Sequence, residues 1–170
     1  MMKQNYKIRL KKITTFIFDV DGVLTDGKLL ITNNGEMLRM MDSKDGFAMK
    51  YAIDKGYTIS IISGGVNKDM SKRLKSLGIK NIFLGAHNKI EVYNQFIIEN
   101  KLSPDEILYM GDDVPDIPVM KLISVSTCPQ DAVVDVKKIV DYVSPKNGGN
   151  GCVREIIEQV LRVQKKWSFS

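Results

Sequence analysis

Short apolar runs alternate with longer amphipathic stretches along most of this chain of 170 residues. The apolar runs are rich in β-branched and aromatic residues, and they predict buried strands at residues 13–20, 58–63, 82–84 and 107–110. The amphipathic stretches predict helices at residues 47–55, 68–77, 89–100, 117–121 and 153–165. Strands and helices that alternate in this way predict an α/β fold with a doubly wound, mainly parallel, Rossmann-like sheet.

One segment after the first predicted strand departs from this alternation. Residues 28–32 and 36–41 are two apolar-containing runs separated by Asn33, Asn34 and Gly35. Asn-Gly between such runs predicts a β-hairpin with a type I′ turn, in which both central residues need a positive φ angle. We call residues 28–41 the flap. Its leucines and methionines are too many for an exposed two-stranded ribbon, so we expect it to pack on a partner subunit or, alternatively, on its own domain.

Length and composition predict one soluble domain. A chain of this size with 44% apolar residues can bury a single core, so we expect one domain over residues 1–170 with its core at about 13–167. Cys128 and Cys152 lack the spacing of metal ligands, which favours a reduced intracellular protein. The N-terminus lacks the apolar stretch of a leader, and no run approaches the roughly 18 apolar residues of a membrane span. We therefore expect a cytoplasmic protein with no membrane partner.

The formal net charge of +5 raises nucleic acid as a partner. The lysines are scattered along the chain, a distribution typical of a solvated basic surface, so we expect no nucleic-acid partner. A positive surface potential would instead steer small anionic substrates toward a site.

Candidate chemistry begins where the first predicted strand ends. Asp19 and Asp21 lie two residues apart, so extended backbone places both carboxylates on one side, just before Gly22. Two carboxylates that close repel each other unless a divalent cation, a proton or strong hydrogen-bond donors offset their charges. This pair favours an enzyme.

Two further loops offer groups suited to phosphate. Ser63 and Gly64 follow a predicted strand and supply a hydroxyl and accessible backbone amides. Lys89 begins a predicted helix, where its charge adds to the positive end of the helix. Each signal is weak alone, since a Ser-Gly-Gly segment is commonly only a turn and such a lysine is commonly only exposed.

A second acidic cluster follows the strand predicted at residues 107–110. It contains Asp112, Asp113 and Asp116, of which Asp113 or Asp116 alone fits a helix cap. In a parallel sheet the carboxyl ends of the strands converge, so both acidic clusters, the serine loop and the lysine are expected at one edge. Together they predict a charge-balanced site for Mg²⁺ and phosphate.

Four motifs in the chain resemble those of the haloacid dehalogenase superfamily of phosphatases. They are DVDGVLT at residues 19–25, Ser63, Lys89, and GDD at residues 111–113 followed by Asp116. The lack of an insertion for a separate cap domain, the early flap and the glycine-rich tail at residues 148–155 resemble the capless branch. The resemblance implies an enzyme that acts on the 8-phosphate of an eight-carbon sugar acid in lipopolysaccharide biosynthesis. The resemblance covers about residues 13–167.

The resemblance implies roles for individual residues. Asp19 would be the nucleophile that forms an aspartyl-phosphate, and Asp21 would protonate the leaving sugar oxygen and later deprotonate water. Mg²⁺ would be bound by Asp19, the main-chain carbonyl of Asp21, and Asp112.

The same resemblance implies how the phosphate is held. Lys89 and Ser63, with Gly64 beside it, would bind the non-bridging oxygens. Asp116 would orient Lys89, and Asp113 would support the metal, through a water molecule or indirectly.

Capless relatives are homotetramers in which a neighbouring subunit's flap closes each site, and the resemblance implies the same here. Ser43, just after the flap, and Arg154, in the glycine-rich tail, are candidate contacts to substrate or neighbour. The alternative for the tail is a turn and a helix start with a surface arginine.

The substrate stays open between two sugar acids. Related enzymes carry a charged residue at position 65, whereas this chain has Gly65, so discrimination would come from elsewhere. Candidates are Lys68, Lys72, Arg73 and Ser76. The alternative is a 9-phosphate phosphatase of a nonulosonate, a sialic-acid-like sugar. Two other functions are more remote. A phosphoacceptor signalling domain would have no role for Asp21, and a noncatalytic scaffold would be expected to lack one of the motif residues.

Overall fold

The computed structural model describes residues 4–169, so the two ends of the predicted 1–170 domain, residues 1–3 and 170, lie outside it. The strands are β1 (Thr15–Phe18), β2 (Leu30–Ile31), β3 (Met37–Leu38), β4 (Thr58–Ser63), β5 (Asn81–Leu84), β6 (Ile107–Met110), β7 (Val125–Cys128) and β8 (Tyr142–Val143). The helices are α1 (Tyr6–Arg9), α2 (Ser43–Asp54), α3 (Lys68–Ser76), α4 (Lys89–Glu99), α5 (Ile117–Met120), α6 (Val134–Lys137) and α7 (Cys152–Val163).

Six strands form one parallel sheet in the order β5-β4-β1-β6-β7-β8, with helices on both faces. This confirms the predicted doubly wound α/β fold without a separate cap. Strands β7 and β8 were not predicted, because β7 mixes serine and threonine with its apolar residues and β8 has only two residues.

Alternate residues of β1 face opposite cores, as the two-residue period of a strand requires. Phe16 and Phe18 pack in one core with α2 and α7, while Ile17 packs in the other with Tyr93 of α4. All of these side chains are buried, so the strand that leads into the acidic loop is held from both faces.

Element boundaries differ from the predictions where backbone hydrogen bonds intervene. The first strand ends at Phe18 and not at residue 20, because the chain turns at Val20, whose carbonyl accepts hydrogen bonds from the amides of Val23 and Thr25. Helix α2 begins four residues before the predicted start, because the Asp42 carboxylate accepts a hydrogen bond from the Lys44 amide and caps the helix.

The flap is the predicted hairpin, with β2 and β3 antiparallel, but the predicted type I′ turn is wrong. Gly35 has a φ angle of +78° and Asn34 does not have a positive φ angle. The Thr32 carbonyl accepts a hydrogen bond from the Gly35 amide, so the turn is one residue longer and needs a single left-handed residue.

Apolar side chains of the flap remain exposed in the single chain. The exposed fractions of Leu30, Ile31 and Met40 are 67%, 68% and 79%. The alternative that the flap folds back over its own domain is therefore wrong for these side chains. Within residues 4–169, none of the helices combines the length and apolar character needed to cross a membrane.

Candidate active site

The carboxyl ends of β1 and β6 lie level with each other, and the neighbouring β4 continues two residues further, to Ser63. Phe18 pairs in register with Ile61 of β4 and with Met110 of β6. The Asp19 amide continues the β1–β6 ladder by donating a hydrogen bond to the Met110 carbonyl at 3.0 Å. The loops that follow these three strands therefore meet at one edge of the sheet.

A buried lysine lies between two carboxylates on the floor of this site. The Nζ atom of Lys89, the first residue of α4, is 2.6 Å from Asp116 Oδ1 and 3.1 Å from Asp19 Oδ2. The exposed fractions of the Lys89 and Asp19 residues are only 6% and 7%. Burial disfavours the charged lysine, but the two carboxylates more than offset this and raise the pKa of Lys89.

Asp116 is fixed by hydrogen bonds to both of its carboxylate oxygens. Besides Lys89, the Tyr109 hydroxyl donates to Oδ1 at 2.6 Å, and the amides of Asp112 and Asp113 donate to Oδ2 at 3.0 and 3.2 Å. The carboxylate is fully buried. The structure thus brings Asp116 to the position in which it would orient Lys89 beside Asp19.

Three carboxylates lie close together around this lysine. Carboxylate oxygens of Asp19, Asp112 and Asp116 lie within 4.8 Å of one another, and Asp112 Oδ1 is buried without a hydrogen-bond partner. Burial, then the charges of Asp19 and Asp116, raise the pKa of Asp112 to about 8. Burial and the charge of Asp116 raise the pKa of Asp19 to about 6, against the lowering effect of Lys89. A bound cation would relieve this repulsion.

Gly22 makes room for the Asp112 carboxylate. Its φ angle is +93°, and a Cβ atom at this position would lie 2.1 Å from Asp112 Oδ2. The DVDG loop can therefore approach the second acidic cluster only with glycine at this position.

A cleft of about 300 Å³ opens above these residues. Eight of the predicted site residues line it: Asp19, Asp21, Ser63, Gly64, Lys89, Asp112, Asp113 and Asp116. Ser63 is buried at the end of β4, and its Oγ accepts a hydrogen bond from the Gly65 amide at 3.3 Å. His87 also lines the cleft, and no motif singled it out beforehand.

Ser43 and Arg154 do not line the cleft within one chain. Ser43 is the first residue of α2. The Arg154 Nε atom donates a hydrogen bond to Glu158 at 2.6 Å, and its guanidinium lies 5.7 Å from the ring centroids of Phe47 and Trp167. The single chain shows the turn and helix start of the alternative reading, and contact with substrate or a neighbour stays a prediction.

The glycine-rich tail supports the DVDG loop. The Gly149 amide donates a hydrogen bond to the Val23 carbonyl at 2.9 Å. A Cβ atom on Gly148 would lie 1.9 Å from the Gly22 carbonyl oxygen, so only glycine fits there. Sequence reasoning missed this role, because the contact joins segments that are far apart in the chain.

Arg39 of the flap is a site residue that sequence reasoning missed. Its Nε atom donates to Asp21 Oδ1 at 2.6 Å, and its Nη2 atom donates to Asp21 Oδ2 at 3.0 Å. Nothing in the local sequence indicates this pair, because it depends on how the flap crosses the DVDG loop.

Comparison with known proteins relates the chain to one group of hydrolases. A family model described as haloacid dehalogenase-like hydrolase matches residues 81–156. Over 158 residues the chain is 34% identical to the 3-deoxy-D-manno-octulosonate 8-phosphate phosphatase of Escherichia coli strain K12, a match that covers 93% of this chain and 84% of that enzyme.

Solved structures agree with the sequence match. The phosphatase of this kind from Yersinia pestis has a TM-score of 0.93 at 31% identity, covering 96% of this chain and 88% of that chain. The Moraxella catarrhalis enzyme, in complex with magnesium ion, phosphate ion and KDO, has a TM-score of 0.92 at 27% identity, covering 98% and 95%.

Proposed function

Since the chain belongs to the haloacid dehalogenase-like hydrolases, we propose that it is a Mg²⁺-dependent phosphatase of 3-deoxy-D-manno-octulosonate 8-phosphate. The observation that carries this proposal is the buried contact of Lys89 with Asp19 and Asp116, beside the unpartnered Asp112 Oδ1. It combines a carboxylate nucleophile, a cation for phosphate oxygens and ligands for a metal in one cleft. The similarity to enzymes of that name supports the choice of sugar acid.

The reaction follows from the placement of the side chains. A carboxylate oxygen of Asp19 attacks phosphorus, the bond between phosphorus and the sugar oxygen breaks, and an aspartyl-phosphate forms. Asp21 gives its proton to the departing sugar oxygen. Water then attacks phosphorus and passes a proton to Asp21, and the acyl-phosphate bond breaks to release inorganic phosphate and restore Asp19. Lys89 and the Ser63 hydroxyl hold the non-bridging oxygens throughout.

The acidic cluster fits a divalent metal. Asp112 Oδ1 is buried and unpartnered, and burial together with neighbouring carboxylates raises the pKa values of Asp19 and Asp112, so a cation beside them would stabilise their charged forms. Both carboxylates and the Asp21 carbonyl would hold the ion, whereas Asp116 is occupied by its own donors. When bound, Mg²⁺ supplies charge neutralisation for the transferring phosphoryl group.

The proposal extends to assembly and cellular location. The exposed apolar flap supports a homotetramer in which a neighbour's flap closes each site, and Ser43 and Arg154 are the candidate contacts there. We place this single-domain enzyme in the cytoplasm, where its sugar phosphate substrate would be formed. Size-exclusion chromatography with light scattering tests the tetramer.

A phosphatase assay across sugar-acid phosphates tests the function. With Mg²⁺, we expect kcat/KM to be highest for the eight-carbon 8-phosphate, and chelation followed by added Mg²⁺ to abolish and restore turnover. A higher kcat/KM for a nonulosonate 9-phosphate would select the alternative substrate. No phosphate release from any ester by the folded protein would refute the proposed function.

A further inference from the structure

The Asp21 carboxylate is not free in this structure. Arg39 binds both of its oxygens in a bidentate ion pair, with donor–acceptor distances of 2.6 and 3.0 Å. Only 9% of the Arg39 side chain is exposed, against 33% of the Asp21 side chain, so the guanidinium is shielded from solvent while the carboxylate is partly open to it. Because both oxygens point at the guanidinium, neither is directed at a leaving group in the cleft.

Arg39 also connects this carboxylate to the flap. The residue directly follows β3, and its Nη1 atom donates to the Met37 carbonyl of that strand at 3.2 Å. The Asn67 side chain donates to the same carbonyl at 3.3 Å, which ties the strand to the start of α3. A change in the Asp21–Arg39 pair therefore involves the flap backbone.

Gly65 provides the space in which the pair lies. A Cβ atom at this position would be 3.0 Å from Asp21 Oδ2 and 3.3 Å from Arg39 Nη2, closer than ordinary van der Waals contact. Position 65 has no charge of its own, and the Arg39 guanidinium brings positive charge to its edge of the cleft. A larger residue at 65 would press on both members of the pair.

Arg39 lies between the catalytic cleft and a neighbouring cavity, where it can meet a second anionic group on a substrate. Lys89 is already engaged by two carboxylates on the cleft floor. Arg39 and Arg73 both line an adjoining cavity of about 290 Å³, and Arg39 reaches from it to Asp21, which lines the catalytic cleft. A substrate whose phosphate lies at Asp19 can extend its other end past Asp21 into this cavity.

We propose that Arg39 is a specificity-determining and positioning residue. In the empty cleft its guanidinium binds the Asp21 carboxylate. When an acid substrate enters, the guanidinium binds the carboxylate of the substrate instead, which frees Asp21 for the leaving oxygen. One carboxylate replaces another, so the buried Arg39 guanidinium stays paired; the freed Asp21, whose side chain is 33% exposed, takes a proton from water before it serves the leaving oxygen. A sugar phosphate without a carboxylate cannot make the exchange. The inference rests on the proposed function, since it assigns Asp21 to the leaving group.

The test compares Arg39→Gln with wild type on two substrates and with Mg²⁺ present. One is the eight-carbon sugar-acid phosphate. The other is the phosphate of a neutral aldose, so only the first substrate offers a carboxylate to Arg39. Arg162→Gln is the matched control, because the Arg162 side chain is 61% exposed, pairs with Glu158 and lies over the Trp167 ring on the surface of the protein. Thermal unfolding of all three proteins verifies folding.

We expect Arg39→Gln to lower the ratio of kcat/KM for the acid over the neutral substrate by roughly 10- to 100-fold, the loss of one charged hydrogen-bonded contact. Its kcat on the neutral ester should rise, because Asp21 no longer has to leave Arg39. Arg162→Gln should keep the wild-type ratio. If Arg39→Gln fails to fold, Arg39→Lys keeps the charge without the bidentate geometry and should show a smaller fall in the ratio.

Two results would overturn the proposal. A parallel loss on both substrates would make Arg39 only a structural anchor of the flap, and an unchanged ratio would remove it from substrate selection. Either result leaves wild-type hydrolysis intact, so the proposed function would survive it. Failure of wild type on every phosphate ester is a different result, and it would end the proposed function itself.

Discussion

Replacing Gly22 by alanine would place a methyl group inside the acidic cluster. The new Cβ atom would lie 2.1 Å from Asp112 Oδ2 and 2.4 Å from its Cγ atom. To regain a contact of 3.0 Å or more, the Asp112 carboxylate has to retreat by about 1 Å. A displaced ligand weakens metal binding, and a shift of that size near the reacting atoms costs roughly 100-fold in rate.

Gly56→Ala is the matched control for this substitution. Gly56 has a φ angle of +88°, close to the +93° of Gly22, but a Cβ atom there meets nothing within 4 Å. Both variants bear the strain of a left-handed alanine, about 1–2 kcal/mol. Since about 1 kcal/mol lowers the Tm of a domain of this size by roughly 2–4 °C, the strain alone lowers Tm by about 2–8 °C in each variant.

Titration of phosphatase activity with Mg²⁺ separates the two variants. We expect Gly22→Ala to need roughly 10- to 100-fold more Mg²⁺ for half-maximal activity, whereas Gly56→Ala should match wild type. The Mg²⁺-induced rise in Tm should shrink only in Gly22→Ala. Equal Mg²⁺ requirements in both variants would refute the reasoning that Gly22 positions Asp112 as a metal ligand.

Two further predictions concern the carboxylates. Asp21→Asn should lower kcat on a sugar phosphate by roughly 100- to 10,000-fold. It should lower kcat on p-nitrophenyl phosphate much less, because that leaving group needs no proton. Equal losses on both substrates would show that Asp21 is not the acid. The pKa values of Asp19 and Asp112 are raised to about 6 and about 8, so the folded state favours the protonated carboxyls. The free energy of unfolding is therefore highest below about pH 4 and falls as the pH rises to about 8. The Tm of chelator-treated protein should therefore fall from pH 5 to pH 8, and Mg²⁺ should restore it most at pH 8. A flat Tm without metal would contradict this.

The strands that carry the site were predictable from sequence. The predicted bounds 58–63 and 107–110 coincide with those of β4 and β6, because β6 is apolar throughout, the longer β4 contains three isoleucines, and a glycine follows each strand. The parallel arrangement then places Asp19, Ser63 and Asp112 at one edge, whatever the details of the loops. β8 gives no comparable signal, because two residues show no periodicity.

Contacts between distant segments were not predictable in the same way. The Asp21–Arg39 pair depends on the path of the flap, and the contact of Gly148 with Gly22 depends on how the tail packs against the DVDG loop. The flap turn was predicted wrongly because Asn34-Gly35 is compatible with a two-residue and with a three-residue turn. The number of residues between the paired strands requires the longer turn. Tertiary contacts decided each case.

Rapid quenching of the enzyme during turnover, followed by peptide mass spectrometry, tests the nucleophile most directly. With Mg²⁺ and the eight-carbon sugar-acid phosphate, we expect a phosphoryl group on Asp19 that forms before free phosphate and disappears as phosphate is released. Asp19→Asn should show neither the phosphoryl group nor turnover. Phosphate release without a phosphorylated Asp19, or a phosphoryl group on another residue, would contradict the role of Asp19 as the nucleophile.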